Sequence, residues 1–299
     1  MECGVFHPLV SVAVITYNSS KTVVETLDSI FNQTYQNLEL IVSDDCSTDN
    51  TVDICQEWIN AHKERFFRME LLTVGANTGI SANMNRAERA CQGEWVKPIA
   101  GDDVLFESCI GTCVSYILEH PETVYLFAKL SPFRENKDEK CNVDISINYD
   151  FFLWPIDEQY HYLVFKHNLV PAPTAFYNRV QVNNLGITND ERIPMMEDWP
   201  KWLNLLKKRV RFQFISKELV KYRLSEKSVS NSEQKCLAFR KSLALFYLYY
   251  QHNDIWKEDK ARAIASYVFS KSLLSPRFYW EILNNIIVGI LKLKKILGL

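Results

Sequence analysis

Glycine is scarce: there are nine in 299 residues. None forms a G-x-G-x-x-G after an early strand or a G-x-x-x-x-G-K loop, so a dinucleotide site and a P-loop are both disfavoured. Cysteine occurs eight times but never as C-x-x-C. Cys109 and Cys113 lie four apart on a predicted helix with no histidine pair nearby, which argues for buried thiols over a zinc site. Neither sign of charge is in excess, and a formal net charge of −2 gives no basic field for general nucleic-acid binding. No apolar run reaches the ~20 residues that a membrane-spanning helix needs. The start passes through Glu2 and His7 straight into a strand, without the pattern of a secretory signal. These absences predict a chain in a reducing, cytoplasmic compartment. What is present is ordinary for a globular protein, 47% hydrophobic and 23% charged, which excludes wholesale disorder. The length suits one large α/β domain with an appendage, or two domains.

Strand and helix patterns alternate from the start. Leu9 to Thr16 is a continuous run rich in Val and Ile, as expected of a strand buried on both faces. Tyr17-Asn18-Ser19-Ser20 breaks it, with Ser19 or Ser20 placed to cap a helix that carries Val23, Val24, Leu27, Ile30 and Phe31. Leu38 to Val42 predicts a second strand, ending in Ser43-Asp44-Asp45-Cys46-Ser47-Thr48-Asp49. A helix with Val52, Ile54, Cys55, Trp58 and Ile59 follows, then a strand over Met69 to Val74. Asn77-Thr78-Gly79 introduces a helix to Cys91. Glu94 to Ile99 is a fourth strand, although Pro98 argues against a fully hydrogen-bonded central position. It leads into Ala100-Gly101-Asp102-Asp103, a helix over Glu107 to Glu119 and a strand over Val124 to Leu130. Such alternation implies right-handed crossovers and a mostly parallel sheet.

Beyond Ser131 the pattern loosens into a charged loop, Arg134 to Lys140. A helix is expected around Glu158 to Lys166, and an extended segment from Val170 to Tyr177 returns towards the sheet. Asp198 fits the N-cap of a helix that runs to Leu206, with Pro200 tolerated in its first turn. Phe212 to Ile215 and Leu219 to Tyr222 read as two short strands. Residues 231 to about 275 are helical. From Phe278 to Leu299, Ile282, Leu283, Ile286, Ile287, Ile290 and Leu291 form one stripe opposite Glu281, Asn285, Lys292 and Lys295. That tail suits peripheral contact with a membrane surface or packing on its own domain or a partner.

The parallel arrangement gathers Tyr17, Asp44, Asp45, Asp102 and Asp103 on one sheet edge, where open α/β sheets bind ligands. Adjacent carboxylates in a turn are ordinary turn chemistry on their own. Held together they repel, and need a cation or a donor network. Carboxylates gathered on this edge suit a ribose, a base and a diphosphate. A phosphate site with few glycines and no cationic loop of its own would need a divalent ion to neutralise it.

Taken together, Val14-Ile15-Thr16-Tyr17-Asn18, Ser43 to Asp49, Asn77-Thr78-Gly79, Gly101-Asp102-Asp103 and Glu197-Asp198 resemble the inverting family-two glycosyltransferases with the GT-A fold. The resemblance covers about Pro8 to Ser230. It implies a nucleotide-diphosphate sugar transferase fold of class α/β, with a mostly parallel central sheet flanked by helices and a C-terminal helical extension. The implied organisation is a transferase domain over 1–230 and a helical region with an amphipathic tail over 231–299. Within the first, 1–130 is the nucleotide-sugar-binding half and 131–230 the acceptor-binding half. By the same resemblance Thr16 and Tyr17 hold the base, Asp45 bonds base or ribose, and Asn18, Asn77 and Gly79 complete the donor site. Asp102 reaches the ribose, Asp103 ligates Mg²⁺ or Mn²⁺, and Asp198 is the catalytic base with Glu197 as its neighbour. Trp199 and Trp202 suit either an acceptor platform or the core.

The implied partners are a nucleotide-sugar donor, with a UDP-sugar favoured, and a saccharide or lipid-linked acceptor in surface polysaccharide synthesis. Homo-oligomerisation is left open, and the implied place is the cytoplasm or the inner face of the membrane. The chain departs from the family in two places. Cys46 stands where many members have Gly, and Ser225 stands where a closing Y-R-x-H-x-x-S element has its histidine, with Arg223 or Lys227 as substitutes. No Q-x-x-R-W follows Asp198, which favours single addition over processive synthesis. Two other classes compete. A sugar-nucleotide pyrophosphorylase would need a Gly-rich basic loop that Tyr17-Asn18-Ser19-Ser20-Lys21 does not supply. A non-enzymatic nucleotide-sugar-binding module would have no need of Asp102, Asp103 and Asp198 together.

Overall fold

The computed structural model describes residues 7–134, 147–224 and 237–275. The chain divides into two compact units, Met1–Asn231 and Ser232–Leu299. In the first, the order is β1 (Val10–Thr16), α1 (Val23–Phe31), β2 (Leu38–Asp44), α2 (Thr51–Ala61), β3 (Arg68–Thr73), α3 (Ile80–Ala90), β4 (Trp95–Ala100), β5 (Val104–Leu105), α4 (Cys109–Glu119) and β6 (Tyr125–Phe133). Then come α5 (Ile156–Phe165), β7 (Phe176–Asn178), α6 (Arg179–Asn184), α7 (Asp198–Lys207) and β8 (Phe212–Arg223).

One eight-stranded sheet runs β3-β2-β1-β4-β7-β6-β8-β5. The first four strands are parallel, in register Val10↔Leu38 and Val10↔Trp95. β7 pairs antiparallel with both β4 and β6, and β6 runs parallel to β8. The even residues of β1, Val10, Val12 and Val14, join Leu38, Leu40 and Val42 of β2 in a core completed by Val23, Leu27 and Ile30 of α1 and Cys55, Trp58 and Ile59 of α2. This is the two-residue period of a strand meeting the helical period of its cover. Cys109 and Cys113 are buried free thiols, as their helical spacing implies.

Three expectations are corrected, and one on Pro98 is met. Neither Ser19 nor Ser20 caps α1: Thr22 precedes its first residue. Ser19 accepts the Thr22 and Val23 amides through its backbone carbonyl instead, because the loop is committed to its neighbours, Ser20 donating its amide to Asp49 and Thr22 its hydroxyl to the Gly101 carbonyl. β8 is one strand rather than two. The polar Ser216-Lys217-Glu218 stretch that reads as a turn is a bulge, where the pairing with β6 slips on both sides of Lys129. Pro98 lies in an inner strand but, as expected, not at a fully hydrogen-bonded position. β7 pairs with β4 only at Trp95 and Val96, so the missing N–H of Pro98 falls beyond that ladder. Asp198 is the first residue of α7, not its N-cap, which is Glu197.

In the second unit α8 (Leu237–Phe246), a π-helical turn over Tyr247–Gln251, α9 (His252–Glu258) and α10 (Lys260–Leu274) follow one another. Asp259 caps α10 by accepting the Arg262 amide. No helix among the described residues is long and apolar enough to cross a membrane. The predicted amphipathic tail over 278–299, the Arg134 to Lys140 loop beyond Arg134, and the Ser225 and Lys227 positions lie outside the described residues.

Candidate active site

The C-terminal ends of β1, β2 and β4 lie side by side, as their parallel registers require. Asp44 is fully buried and accepts the Thr16 hydroxyl at 2.8 Å and the Ser47 amide at 2.7 Å. The next residue, Asp45, faces the other way. It accepts the Thr78 amide (2.9 Å), the Thr78 hydroxyl (2.5 Å), the Gly79 amide (2.7 Å) and the Arg86 guanidinium (3.1 Å). Asp45 thereby moulds the turn that starts α3. Asn77 donates to the Asp45 carbonyl at 3.2 Å, and Asn18 accepts the Thr48 amide at 2.8 Å. Tyr17 stands 51% exposed beside them. Cys46 has φ +65°, the left-handed conformation that a glycine adopts without strain.

Gly79 has φ +90°, and a Cβ there would lie 2.7 Å from Pro194. Gly79→Ala is therefore expected to destabilise the fold by roughly 1–3 kcal/mol. The reading is a lower urea midpoint at unchanged m-value.

The carboxylate turn is fixed from both sides. Gly101 donates its amide to Ile15, and a Cβ at Gly101 would come within 2.8 Å of the Thr16 side chain, so only glycine lets the turn approach β1. Asp103 is buried, accepts the Arg223 amide at 3.0 Å through Oδ1, and takes the Thr26 hydroxyl on its carbonyl at 2.7 Å. Arg223 Nε donates to the Asp102 carbonyl at 2.7 Å, its guanidinium pairs with Glu25 and lies 4.5 Å from the centre of the Phe133 ring. Burial, and then the neighbouring Asp102, push Asp103 up to about 8. Asp102 is half-buried and is also pushed up by burial, with Arg223 opposing. Its carboxylate bonds only its own backbone among the described residues.

Across from this turn is the start of α7. Asp198 accepts the Trp199 amide and the Asn168 side-chain amide, both at 2.6 Å. Burial pushes it up, and those two donors pull it back. Glu197 is pushed up to about 8 by burial first and by Asp198 second. Both acids are thus pushed the same way by burial, and as neighbours they repel, so ionising one favours a proton on the other.

A cavity of about 90 Å³ is lined by Ile15, Ala100 and Asp103 and by Glu197, Asp198, Lys201 and Trp202. The structure thus brings Asp103 and Asp198, 95 positions apart in the chain, to one cleft. Asp45 does not line it; with Thr16, Tyr17, Asn18, Asn77 and Gly79 it forms the rim beyond the ends of β1 and β2. Trp202 is 2% exposed and packs on Tyr125, Phe127 and Phe212, which makes it core with one edge on the cavity. Trp199 donates its indole N–H to the Leu163 carbonyl at 2.9 Å.

No group of three or more His, Cys, Asp or Glu that could hold a metal occurs among the described residues. The adjacent carboxylates of Asp102 and Asp103, both pushed up by burial although Arg223 lies beside them, are hard oxygen donors that would fit a divalent cation brought with a diphosphate.

Sequence reasoning missed Asn168, Glu88 and Lys201. Glu88 follows Met84 by four on the inner face of α3, and Lys201 follows Asp198 by three on α7. A charged residue at core spacing was the available signal.

Comparison with known proteins agrees with this geometry. The glycosyl transferase family 2 model matches residues 11–180. TuaG of Bacillus subtilis, assigned to teichuronic acid biosynthesis, is 26% identical over 77% of this chain and 84% of its own. WfaP of Escherichia coli, a UDP-Glc:alpha-D-GlcNAc-diphosphoundecaprenol beta-1,3-glucosyltransferase, is 27% identical over 76% of this chain and 82% of its own. Among solved structures, TarS 1-349 of S. aureus in complex with UDP superimposes with a TM-score of 0.56 at 19% identity, covering 88% of this chain and 79% of that one. The mannosyltransferase PcManGT of Pyrobaculum calidifontis, in complex with GDP-Man and Mn²⁺, gives 0.53 at 17% identity, covering 98% and 81%. These two likenesses establish the GT-A type of fold. With strand-end carboxylates, a mostly parallel sheet and a family match over more than half its length, the chain is a glycosyltransferase and belongs to glycosyl transferase family 2.

Proposed function

We propose that this glycosyltransferase moves one sugar, with inversion, from a nucleotide-diphosphate sugar to a saccharide or lipid-linked acceptor in surface polysaccharide synthesis. The observation that carries the reading is the cleft lined both by Asp103 and by Glu197 and Asp198 at the start of α7. Inverting transfer needs the leaving diphosphate on one side of the anomeric carbon and the acceptor hydroxyl on the other. Asp103 and Asp198, brought to one cleft from separate elements, support that division of roles. The relatives support the donor and pathway class: WfaP by its name uses UDP-Glc on a lipid-diphosphate-linked sugar, and TarS has been solved with UDP and with UDP-GlcNAc.

In this reading the exposed Tyr17 ring and the Thr16–Asn18 backbone receive the base. Asp45 has its oxygens committed to Thr78, Gly79 and Arg86, so it serves the nucleotide by holding the Asn77–Gly79 turn in place. Asp102, the more accessible acid, would reach the ribose, and Asp103 would be the ligand to a divalent cation. A divalent cation bound there would neutralise the diphosphate and stabilise the charge that develops on the leaving group. Asp198 takes the proton of the acceptor hydroxyl, which is a poor nucleophile without a base, while Asn168 and the Trp199 amide fix the direction of its carboxylate. Only one carboxylate is required in this role, unlike the acid–base pair of glycosidases.

The test is release of nucleoside diphosphate from a panel of UDP- and GDP-sugars with Mn²⁺ and with EDTA. At least one donor is expected to turn over only with Mn²⁺. Turnover unaffected by EDTA would contradict the metal dependence, and no turnover together with no binding of UDP or GDP would contradict the donor site.

A further inference from the structure

The second unit differs from the first in charge. Residues 232–299 hold eleven Lys and Arg against five Asp and Glu, whereas residues 1–231 hold 23 against 31. An asymmetry of this size within one chain points to an anionic partner for the basic part. α10 concentrates the feature: its fifteen residues include Lys260, Arg262 and Lys271 and no acid. Its buried residues are Ala263 and Ser270, and it packs on α8 and α9. The outer side is apolar, where a solvated helix face is ordinarily polar. Ala261, Ile264, Ala265, Val268, Phe269 and Ser272 lie there at helical spacing, with Ile264 52% and Phe269 57% exposed. Ser272, the polar member, spends its hydroxyl on the Phe269 carbonyl at 2.7 Å. The basic residues border this stripe. Lys260, four residues before Ile264, and Lys271, seven after it, follow one edge, and Arg262, seven before Phe269, follows the other. On the first edge the Lys271 ammonium sits 5.6 Å from the centre of the Tyr267 ring.

We propose that the outer face of α10 is a docking surface for an anionic lipid membrane. An apolar centre with basic borders is what such a surface requires. The Ile264 and Phe269 side chains enter the boundary between headgroups and acyl chains, while the lysines lay their stems along the apolar face and keep their ammonium groups at the lipid phosphates. A nucleic acid would need the basic residues at the middle of the face, where Ile264 and Val268 stand. A second copy seated on the same face would bring Lys260, Arg262 and Lys271 against their own counterparts, with no acid on α10 to pair them. Two exposed apolar side chains and three charges give reversible association, not a permanent anchor. The inference is independent of the donor site and of Asp198, and it brings the chain to the kind of surface that holds lipid-linked acceptors.

The experiment is flotation of the full chain with vesicles of pure phosphatidylcholine and with vesicles of phosphatidylglycerol and phosphatidylcholine in equal parts, in the absence of donor and acceptor. The wild-type protein is expected to partition onto the anionic vesicles at least about tenfold more than onto the neutral ones, and to come off as salt is raised. Lys260→Gln and Lys271→Gln are each expected to lower partition onto anionic vesicles by about fivefold, the worth of one basic residue near such a surface. Ile264→Glu with Phe269→Glu is expected to lower it by about tenfold or more, since it removes the apolar contact and adds repulsion. Both positions are exposed and glutamate suits a helix, so the fold is expected to hold, and the lysine variants stay readable without the pair. A wild-type protein that stays in the buffer, equal binding to both vesicle types, or a Glu pair that floats as wild type does would overturn the proposal. A Glu pair that halves the mass in solution would overturn it by giving the face to a second copy, and one that melts far below wild type would do so by giving the face to the chain itself.

Discussion

Asp198→Asn is expected to bind nucleoside diphosphate and Mn²⁺ as wild type does, and to lose transfer by roughly 10²–10⁴-fold, the span that a positioned general base contributes. The amide keeps the shape and still accepts the Trp199 N–H, so α7 starts where it did. It cannot take a proton from the acceptor. The loss should therefore fall on kcat, with the donor KM little changed, since the proposed donor contacts are carried by the ends of β1, β2 and β4 and not by α7. Single-turnover measurements with donor prebound separate this from slow product release. Unchanged transfer would exclude Asp198 as the base.

The second large effect concerns the carboxylate turn. Asp103→Ala is expected to remove the Mn²⁺-dependent part of nucleotide binding, a loss of about 100-fold or more, at least that of disturbing a metal's outer shell. The substitution deletes a carboxylate and also frees the Arg223 amide that it accepts. Asp103→Asn separates the two, because it preserves the bond to Arg223 and removes only the charge. In wild type the Mn²⁺ affinity should climb as pH rises from 6 to 8. Asp103 is held up near 8 by burial and by Asp102, and an acid must lose its proton before it ligates. Fold stability without the cation runs the other way. Between the ordinary value of 3.8 and about 8 the native state binds the proton that the unfolded chain releases, so this contribution to stability is lost as pH rises through that window. Calorimetry across the pH range, with thermal melts alongside, reads both slopes.

Much of this arrangement is written locally in the chain. The Val- and Ile-rich runs at β1 and β2 admit few readings, and the acidic residues that follow β2 and β4 fall at the edge where parallel topology gathers them. Local signals failed where tertiary structure took over. Ser19 and Ser20 have ordinary capping chemistry, yet the loop spends it on Asp49 and the β1 end. Ser216-Lys217-Glu218 has the polarity of a turn, but β6 lies beside it and carries the strand through as a bulge. Pro98 is tolerated because β7 is only three residues long, a fact of the partner strand and not of β4.

The site shows the same division. Asp102, Asp103 and Asp198 stand out by type and place, whereas Asn168 and Glu88 matter only because distant segments fold onto α7. The carboxylate of Asp45 was expected at the ligand; its four donors, two of them backbone amides, could not be read from spacing.

The most direct test is a crystal soaked with UDP and Mn²⁺, with the metal located by its anomalous signal. The account predicts one manganese at a carboxylate oxygen of Asp102 or Asp103, the base at the ends of β1 and β2 beside Tyr17, and the diphosphate pointing into the cleft that Asp198 closes. A manganese bound elsewhere, or a nucleotide lying away from these strand ends, would contradict it.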